Sequence, residues 1–386
     1  MRPVRAVPAG DPLHLLTELR LALSATGDAL LPVPVPSPTA DNGTGADRAG
    51  LGPVPRRVAV VIETSGSTAA PKRVMLSTDA LLASAAASSV ALGGDGQWLL
   101  ALPAHYIAGV QVLVRSIVAG TEPVLLPPGH FDPVVFAEYA RRLVEPLRFT
   151  SLVPVQLARL LDAADADPAI LTVLRRFTGI LVGGQAVAPA LIDRAERQKI
   201  RVLRTYGSSE TAGGCVYDGV PIGNTLVRAV DGQLEISGAV LADGYLGDED
   251  RTGDRFRDDH GVRWYRTGDL GAVAVDGTVS VTGRADNVIV SGGEKVSLDA
   301  VEALVRSLPG LGEAVVVRAA DPVWGQTPVV VVVVAAAPPA LEAVRAAAAS
   351  ALGRAARPSR IVTVETLPLL ASGKPDRQAL EAFIAR

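Results

Sequence analysis

Between Arg57 and Thr205 short β-branched runs alternate with longer helical patterns, and few architectures accept that alternation. The runs RVAVVIET from Arg57, QWLLAL from Gln97, EPVLL near 122, FTSLV near 149, GILVG near 179 and RVLRTYG near 201 read as strands. Each adjoins a helical segment, the first opened by Ser77, and the spacing predicts sheets whose faces are covered by helices. From Leu226 the rhythm changes. Brief strands are broken at Asp231-Gly232, Asp243-Gly244, His260-Gly261 and Asp276-Gly277, with no segment of helix length, which predicts a small antiparallel β unit over about 226–282. After Asp286 the order is strand, helix (297–307), strand (314–319), strand (328–335), helix (340–356), strand (361–364) and a terminal helix, enough for an independent unit. The expected fold class is α/β. A large N-terminal domain (1–285) holds helix-covered sheets to about 225 and then the small β unit, and a small α+β lid domain (286–386) follows. The stretch Pro32 to Pro55, rich in Pro, Gly, Asp and Ala, is expected to be an irregular surface connection.

Composition excludes several function classes. With 386 residues, 48% of them hydrophobic and 20% charged, the chain is too apolar for disorder. Its 37 basic and 40 acidic residues give a net charge of -3, so no basic field exists to hold nucleic acid or an acidic membrane, and small-molecule chemistry gains ground. The opening MRPVRAVPAGDPLHLL lacks the apolar core of a signal peptide. Nothing later approaches the roughly 18 apolar residues of a membrane helix, since the run Val329 to Ala337 stops at Pro338 and Pro339. A single cysteine, Cys215, excludes an internal disulfide framework and a multi-cysteine zinc site. These features read as a cytoplasmic protein.

Only four of the 37 basic residues are lysine, and three of them, Lys72, Lys295 and Lys374, fall in glycine- or serine-rich stretches where a compact ammonium reaches a point that a guanidinium fork cannot. The fourth, Lys199, has the look of a surface position. Lys72 closes Glu63-Thr-Ser-Gly-Ser-Thr-Ala-Ala-Pro-Lys72, whose hydroxyls and freed backbone N–H groups suit phosphate oxygens, or form a plain Ser/Thr-rich turn. It is not a Walker A loop, because Pro71 precedes the lysine and Arg73 follows it. Further along come Gly183-Gly-Gln-Ala186, Tyr206-Gly-Ser-Ser-Glu-Thr211, Tyr265-Arg-Thr-Gly-Asp-Leu270, Gly283-Arg-Ala-Asp-Asn287, Ser291-Gly-Gly-Glu-Lys295 and Leu370-Ala-Ser-Gly-Lys-Pro-Asp-Arg377. Singly, most of these are loop-like.

In this order they resemble the motifs of the adenylate-forming superfamily, which includes acyl-CoA synthetases and the adenylation domains of peptide synthetases. The likeness runs from about Val58 to Leu380. It implies ATP, Mg2+ and coenzyme A as the small-molecule partners, with no nucleic acid and no membrane insertion. It also implies roles. Thr64, Ser65, Gly66, Ser67, Thr68 and Lys72 would cradle phosphate, with Ala69 standing where the family has a glycine. Gly183, Gly184 and Gln185 would pass along the adenine on which Tyr206 stacks, followed by Gly207 and Ser208. Ser209 would take the phosphate-binding hydroxyl position, and Glu210 with Thr68 would hold Mg2+. Asp269 and Arg284 would contact the ribose, Asp286 would be the hinge, and Gly292, Gly293 and Lys295 would line the pantetheine channel, although Lys295 also reads as an ordinary exposed lysine. Lys374 would bridge the carboxylate substrate and the α-phosphate, lowering the repulsion between two anions where it is greatest.

Within the superfamily, Leu102-Pro-Ala-His-Tyr-Ile-Ala-Gly109, Ser151-Leu-Val-Pro-Val-Gln-Leu-Ala-Arg-Leu-Leu161 and Gly213-Gly-Cys-Val-Tyr-Asp-Gly219 are similar to the o-succinylbenzoate-CoA ligases of menaquinone biosynthesis. That likeness implies o-succinylbenzoate as the acid and a pocket drawn from His105, Tyr106, Arg159, Gly213 and Gly214. Tyr106 aligns with the family's usual histidine. His105 also reads as a residue packed against apolar neighbours, and Arg159 as a surface arginine. Another acid of the same superfamily, or a binding protein without catalysis, stays open on sequence alone. Similar enzymes are commonly homodimers; the sequence leaves the oligomeric state open.

Overall fold

Strand Val58–Thr64 is buried along its first five residues, so both of its faces must be covered: Val60 and Ile62 enter a large core with helices, and Val58 and Val61 a smaller cluster with Leu31, Val33 and Val54. The computed structural model describes residues 1–34, 51–64, 71–334, 340–369 and 375–385. A five-stranded sheet runs in the order Val4–Pro8, Ala29–Val33, Val58–Thr64, Lys72–Ser77, Gly244–Tyr245. A seven-stranded sheet has a parallel centre of Gln97–Leu100, Arg148–Leu152, Gly179–Val182 and Val202–Ser208, the last continued by antiparallel Gly213–Tyr217. Helices Thr78–Leu92 and Ile107–Ala119 lie between the two sheets, in a core that joins Ile62 and Leu76 of one to Trp98, Leu100 and Leu203 of the other. The outer face of the larger sheet packs Leu99, Leu152 and Val182 against Phe136, Leu157, Leu160 and Ala195 of three further helices.

Every strand expected between Arg57 and Thr205 forms, and Ser77 caps its helix by accepting from the Ala80 N–H at 3.1 Å. Three expectations are corrected. The first sheet takes its outer two strands from residues 4–33, so the α/β pattern begins well before Arg57; the strands are only five residues long and carry prolines at positions 8 and 32, which hides them from periodicity. Pro32 accordingly belongs to a strand, and Val54, at the far end of the supposed surface connection, is buried and bridges Arg2; residues 35–50 between them lie outside the described residues. The small β unit does contain a helix, Glu249–Arg255. Asp248 caps it through the Arg251 N–H and acidic residues fill its first turn, but it buries none of its residues and so shows no apolar period.

The β unit is otherwise antiparallel, in the order Leu226–Val230, Gln233–Ser237, Val262–Val273, Phe256–Asp259, with Val279–Arg284 also on the long strand. Asp231-Gly232 and His260-Gly261 have positive φ at both residues, the two-residue hairpin turn their sequence predicts. Asp243-Gly244 is not a hairpin turn: Gly244–Tyr245 leaves this unit and pairs with Val74 and Met75 of the first sheet.

In the C-terminal domain the valine run explains itself. Val330 and Val332 enter a core with Val301, Val305 and Val344, while Val329 and Val331 enter another with Leu380 and Ile384. Strand Gly325–Val333 is thus buried on both faces by helices Leu298–Arg306 and Leu341–Leu352 on one side and Arg377–Ile384 on the other. No described helix is long and apolar enough to cross a membrane.

Candidate active site

The site forms where the long strand of the β unit meets the C-terminal edge of the larger sheet. Strand Val202–Ser208 delivers Tyr206 and runs into a single turn, Ser209–Thr211, that carries Glu210. Ala212 then takes a left-handed backbone (φ 50), a conformation a non-glycine residue resists, and two buried side chains from the sandwiched helices hold it: Ser84 Oγ and Gln111 Nε2 both donate to the Ala212 carbonyl, at 2.9 and 2.8 Å. The turn bearing Glu210 is therefore rigid. Glu210 is 7% exposed, and its Oε1 accepts from Tyr245 Oη at 2.8 Å. Tyr245 comes from the short strand that crossed between sheets, which explains why that crossing matters.

Asp269 gathers the second half of the site. Its Oδ2 accepts from Tyr206 Oη at 2.6 Å and its Oδ1 from Arg284 Nη1 at 3.0 Å, and the ladder between the two strands places Asp269 directly opposite Arg284. Burial, reinforced by Asp269, raises the Tyr206 phenol well above its usual pKa, so it stays a donor. Arg284 also grips Asp286 with two bonds of 3.2 Å, and although burial alone would raise that carboxyl, the guanidinium holds it below the usual range. The Arg284 backbone N–H donates to Asp299 Oδ2 at 2.7 Å, tying the strand to the first helix of the C-terminal domain. Arg318 Nη2 reaches the Asp286 carbonyl at 3.2 Å.

Lys72 is half-buried at the start of its strand, and its ammonium is pushed below the usual lysine range by burial first, which Glu210 opposes and Arg255, Arg251 and Arg284 reinforce. Lys72, Glu210, Tyr206, Asp269 and Arg284 are thus one electrostatic cluster. Thr64 ends the preceding strand, opposite Lys72. Ser65, Gly66, Ser67, Thr68 and Ala69 lie outside the described residues, as does Lys374.

The glycines have two different reasons. A Cβ on Gly183 would stand 2.3 Å from Thr205 Oγ1, so strand packing alone requires glycine there, whereas Gly184 (φ +80) is exposed and open, with Gln185 beside it. Gly207 faces the Gly213 carbonyl across the strand pair, and Gly213 lies against Ile107 and Gln111. The rings of His105 and Tyr106, 4.1 Å apart, directly precede Ile107, and Gly214 lies against Thr205. Ser208 and Ser209 precede Glu210 in place. Arg159 is not gathered here; it is exposed on helix Pro154–Ala166. Gly292 and Gly293 form a left-handed hairpin turn capped by Trp324, with Lys295 exposed beside it. Among the described residues no hydrogen bond or ion pair links that turn to the Glu210–Asp269 cluster.

Tyr245, Ser84 and Gln111 escaped the sequence reading, because each acts through a partner more than 30 positions away or, for Gln111, through the same distant carbonyl as Ser84. The GYL triplet after Asp243 is the only local trace of Tyr245.

Residues 29–234 match the AMP-binding enzyme family, and residues 300–374 its C-terminal domain. The chain belongs to the AMP-binding enzyme family. A probable 2-succinylbenzoate–CoA ligase of Mycobacterium tuberculosis is 40% identical over 381 residues, covering 97% of this chain and 96% of that protein. The 2-succinylbenzoate–CoA ligase of Listeria monocytogenes is 30% identical over 84% of this chain and 70% of its own. The structure of the Bacillus subtilis o-succinylbenzoate CoA synthetase MenE, in complex with the acyl-adenylate intermediate OSB-AMP, superposes with a TM-score of 0.73 at 26% identity, over 84% of this chain and 69% of that one. This AMP-binding enzyme thus shares their fold of a large N-terminal domain followed by a C-terminal domain.

One consequence concerns pH. Burial lowers the His105 imidazole below its ordinary value of 6.5, so the unfolded chain takes up that proton more readily than the folded one. The stability concerned is intact above the unfolded value and is lost as pH falls from there through the folded one. His105→Gln is expected to flatten the drop in Tm between about pH 7 and pH 5, within the range where histidine titrates; an unchanged slope assigns the drop to other groups.

Proposed function

We propose that this enzyme adenylates o-succinylbenzoate with ATP and transfers the acyl group to coenzyme A, in menaquinone biosynthesis. The observation that carries the reading is 40% identity along nearly the whole of both chains to a probable 2-succinylbenzoate–CoA ligase. The proposed setting is the cytoplasm, where all three substrates are small soluble molecules.

The geometry supports a role for each residue. Tyr206 and Arg284 use different oxygens of Asp269, and a carboxylate offers about two acceptor sites per oxygen, so both oxygens keep a lone pair for the ribose hydroxyls. The Tyr206 ring, fixed through its hydroxyl, is held for stacking on adenine beside Gly183, Gly184 and Gln185. Glu210 presents one oxygen to Tyr245, and its other oxygen has no hydrogen bond to any described residue. No described group of three or more His, Cys, Asp or Glu could hold a metal alone, which suits Mg2+ held by one carboxylate together with substrate phosphates. Glu210 would hold it, with Thr68, and when bound it supplies charge neutralisation on the phosphate oxygens. Lys374 then lowers the repulsion as the succinyl carboxylate attacks the α-phosphate. For the second half, a turn of the lid at Asp286 removes Lys374 and brings Gly292, Gly293 and Lys295 to the site where the coenzyme A thiol attacks. Arg284, bonded at once to the ribose carboxylate and to Asp286, couples nucleotide occupancy to that hinge.

Pyrophosphate release across a panel of acids tests the assignment. o-Succinylbenzoate is expected to be turned over far faster than benzoate or a long-chain fatty acid; the reverse order rejects it.

A further inference from the structure

Charge around the cluster is unevenly balanced. Arg284 is neutralised by Asp269 and Asp286, and Arg251 by Asp248 at 3.2 Å. Arg255, at the end of the unanticipated helix, has no ion pair with any described residue, and its one side-chain hydrogen bond among them is a long one, 3.4 Å from Nη1 to the Arg266 carbonyl. Its place is nonetheless well defined. Gly268 adopts φ +76, and a Cβ there would lie 2.9 Å from Arg255 Nη1 and 3.4 Å from Arg284 Nη2, so one glycine seats both guanidinium groups. Its charge is felt at Lys72 and Tyr245 towards Glu210, and at Asp286 towards the hinge. Packing like charges together is costly unless a polyanion joins them.

We propose that Arg255, together with Lys72, binds the β- and γ-phosphates of ATP and holds the pyrophosphate as it leaves. The inference rests on the adenylating reading above. Arg255 Nη1 lies against Gly268, the neighbour of the ribose residue Asp269, and its charge reaches Tyr245, which touches the carboxylate assigned to Mg2+, so it is placed to meet the triphosphate. A planar fork with five donors suits the non-bridging oxygens of such a chain. An acyl adenylate carries only its α-phosphate, and Lys374 serves that group during its formation, so two further cations are in excess for AMP and matched to a triphosphate.

Direct binding to the full-length protein tests this without any acid substrate. α,β-Methylene-ATP with Mg2+, inorganic pyrophosphate and AMP are titrated into wild type, Arg255→Gln and Arg255→Lys. The glutamine variant is expected to bind the triphosphate analogue and pyrophosphate about 10- to 100-fold more weakly, the range for lost hydrogen bonds to a charged group, with AMP affinity nearly unchanged. The lysine variant, keeping the charge and losing the fork, is expected to fall between, which secures the test if the glutamine variant does not fold. Equal losses for AMP and triphosphate, or no loss for triphosphate, overturn the proposal. A wrong acid assignment would show only in the pyrophosphate-release panel and would leave these affinities as they are.

Discussion

Alanine at Lys374 is expected to slow formation of the acyl adenylate by about 10²- to 10³-fold, the cost of removing one charge-stabilising donor from a transition state. Thioester formation from supplied acyl adenylate should stay within a few-fold of wild type. The reason for the split is electrostatic. In the first half-reaction a carboxylate approaches a phosphate, and repulsion peaks as the new bond forms and pyrophosphate leaves; in the second, a thiol attacks a carbonyl whose carboxylate charge was removed when the anhydride formed, and AMP departs as the thioester forms. The structure adds an argument about reach. Leu369 and Pro375 bridge one another, the Asp376 N–H donates to the Pro368 carbonyl at 2.8 Å, and Asp376 caps the final helix through the Ala379 N–H. Arg377 is then anchored by Glu302 at 2.8 Å and lies 3.6 Å from Asp299, the residue that also receives the Arg284 N–H. Lys374 therefore directly precedes Pro375, which bridges Leu369, and stands three positions before Arg377, whose neighbour Asp299 accepts from the strand that carries Arg284. Measuring pyrophosphate release with o-succinylbenzoate alongside coenzyme A-dependent consumption of prepared acyl adenylate separates the halves. Equal loss in both would mean that Lys374 holds the domain together and takes no part in the first step.

Local chemistry made much of this legible. The strand from Val58, the Ser77 cap and the Asp231-Gly232 turn are written in neighbouring residues, and the structure places them where their sequence requires. Asp269 and Arg284 were readable from their motifs, and the antiparallel ladder sets them face to face. What the chain does not write locally is pairing at a distance. Tyr245 meets Glu210 across 35 positions, and Ser84 reaches Ala212 across 128. Arg255 is a similar case: its helix has polar residues on every side, so neither an apolar stripe nor a motif marks it, and its guanidinium is placed by Gly268 and the Arg266 carbonyl of a neighbouring strand. Gly183 shows a glycine with a second reason that the sequence did not reveal, since a Cβ there would meet Thr205.

Glutamine at Glu210 should produce the second large effect, and a different one. The substitution keeps the shape and the acceptor that Tyr245 Oη needs, so the turn and its left-handed Ala212 stay in place. What disappears is the negative charge. Mg2+ then meets an amide oxygen where it had a carboxylate, and the half-saturating Mg2+ concentration is expected to rise about 10- to 100-fold, a range already seen when only a supporting partner of a metal ligand is removed. The rate of adenylation at fixed Mg2+ should fall at least as far. Lys72 is affected too: among the described residues Glu210 is the charge that opposes its burial and the three neighbouring arginines, so its ammonium should lose its proton at a lower pH in the variant, and the alkaline limb of adenylation should move down. Pyrophosphate release measured against free Mg2+, and then against pH at saturating Mg2+, reads both effects in one protein. A variant with reduced rate but an unshifted Mg2+ curve would make Glu210 a structural partner of Tyr245 alone. A shifted Mg2+ curve with an unmoved alkaline limb would keep the metal and separate Lys72 from it, because a carboxylate that neutralises both must, on losing its charge, disturb both.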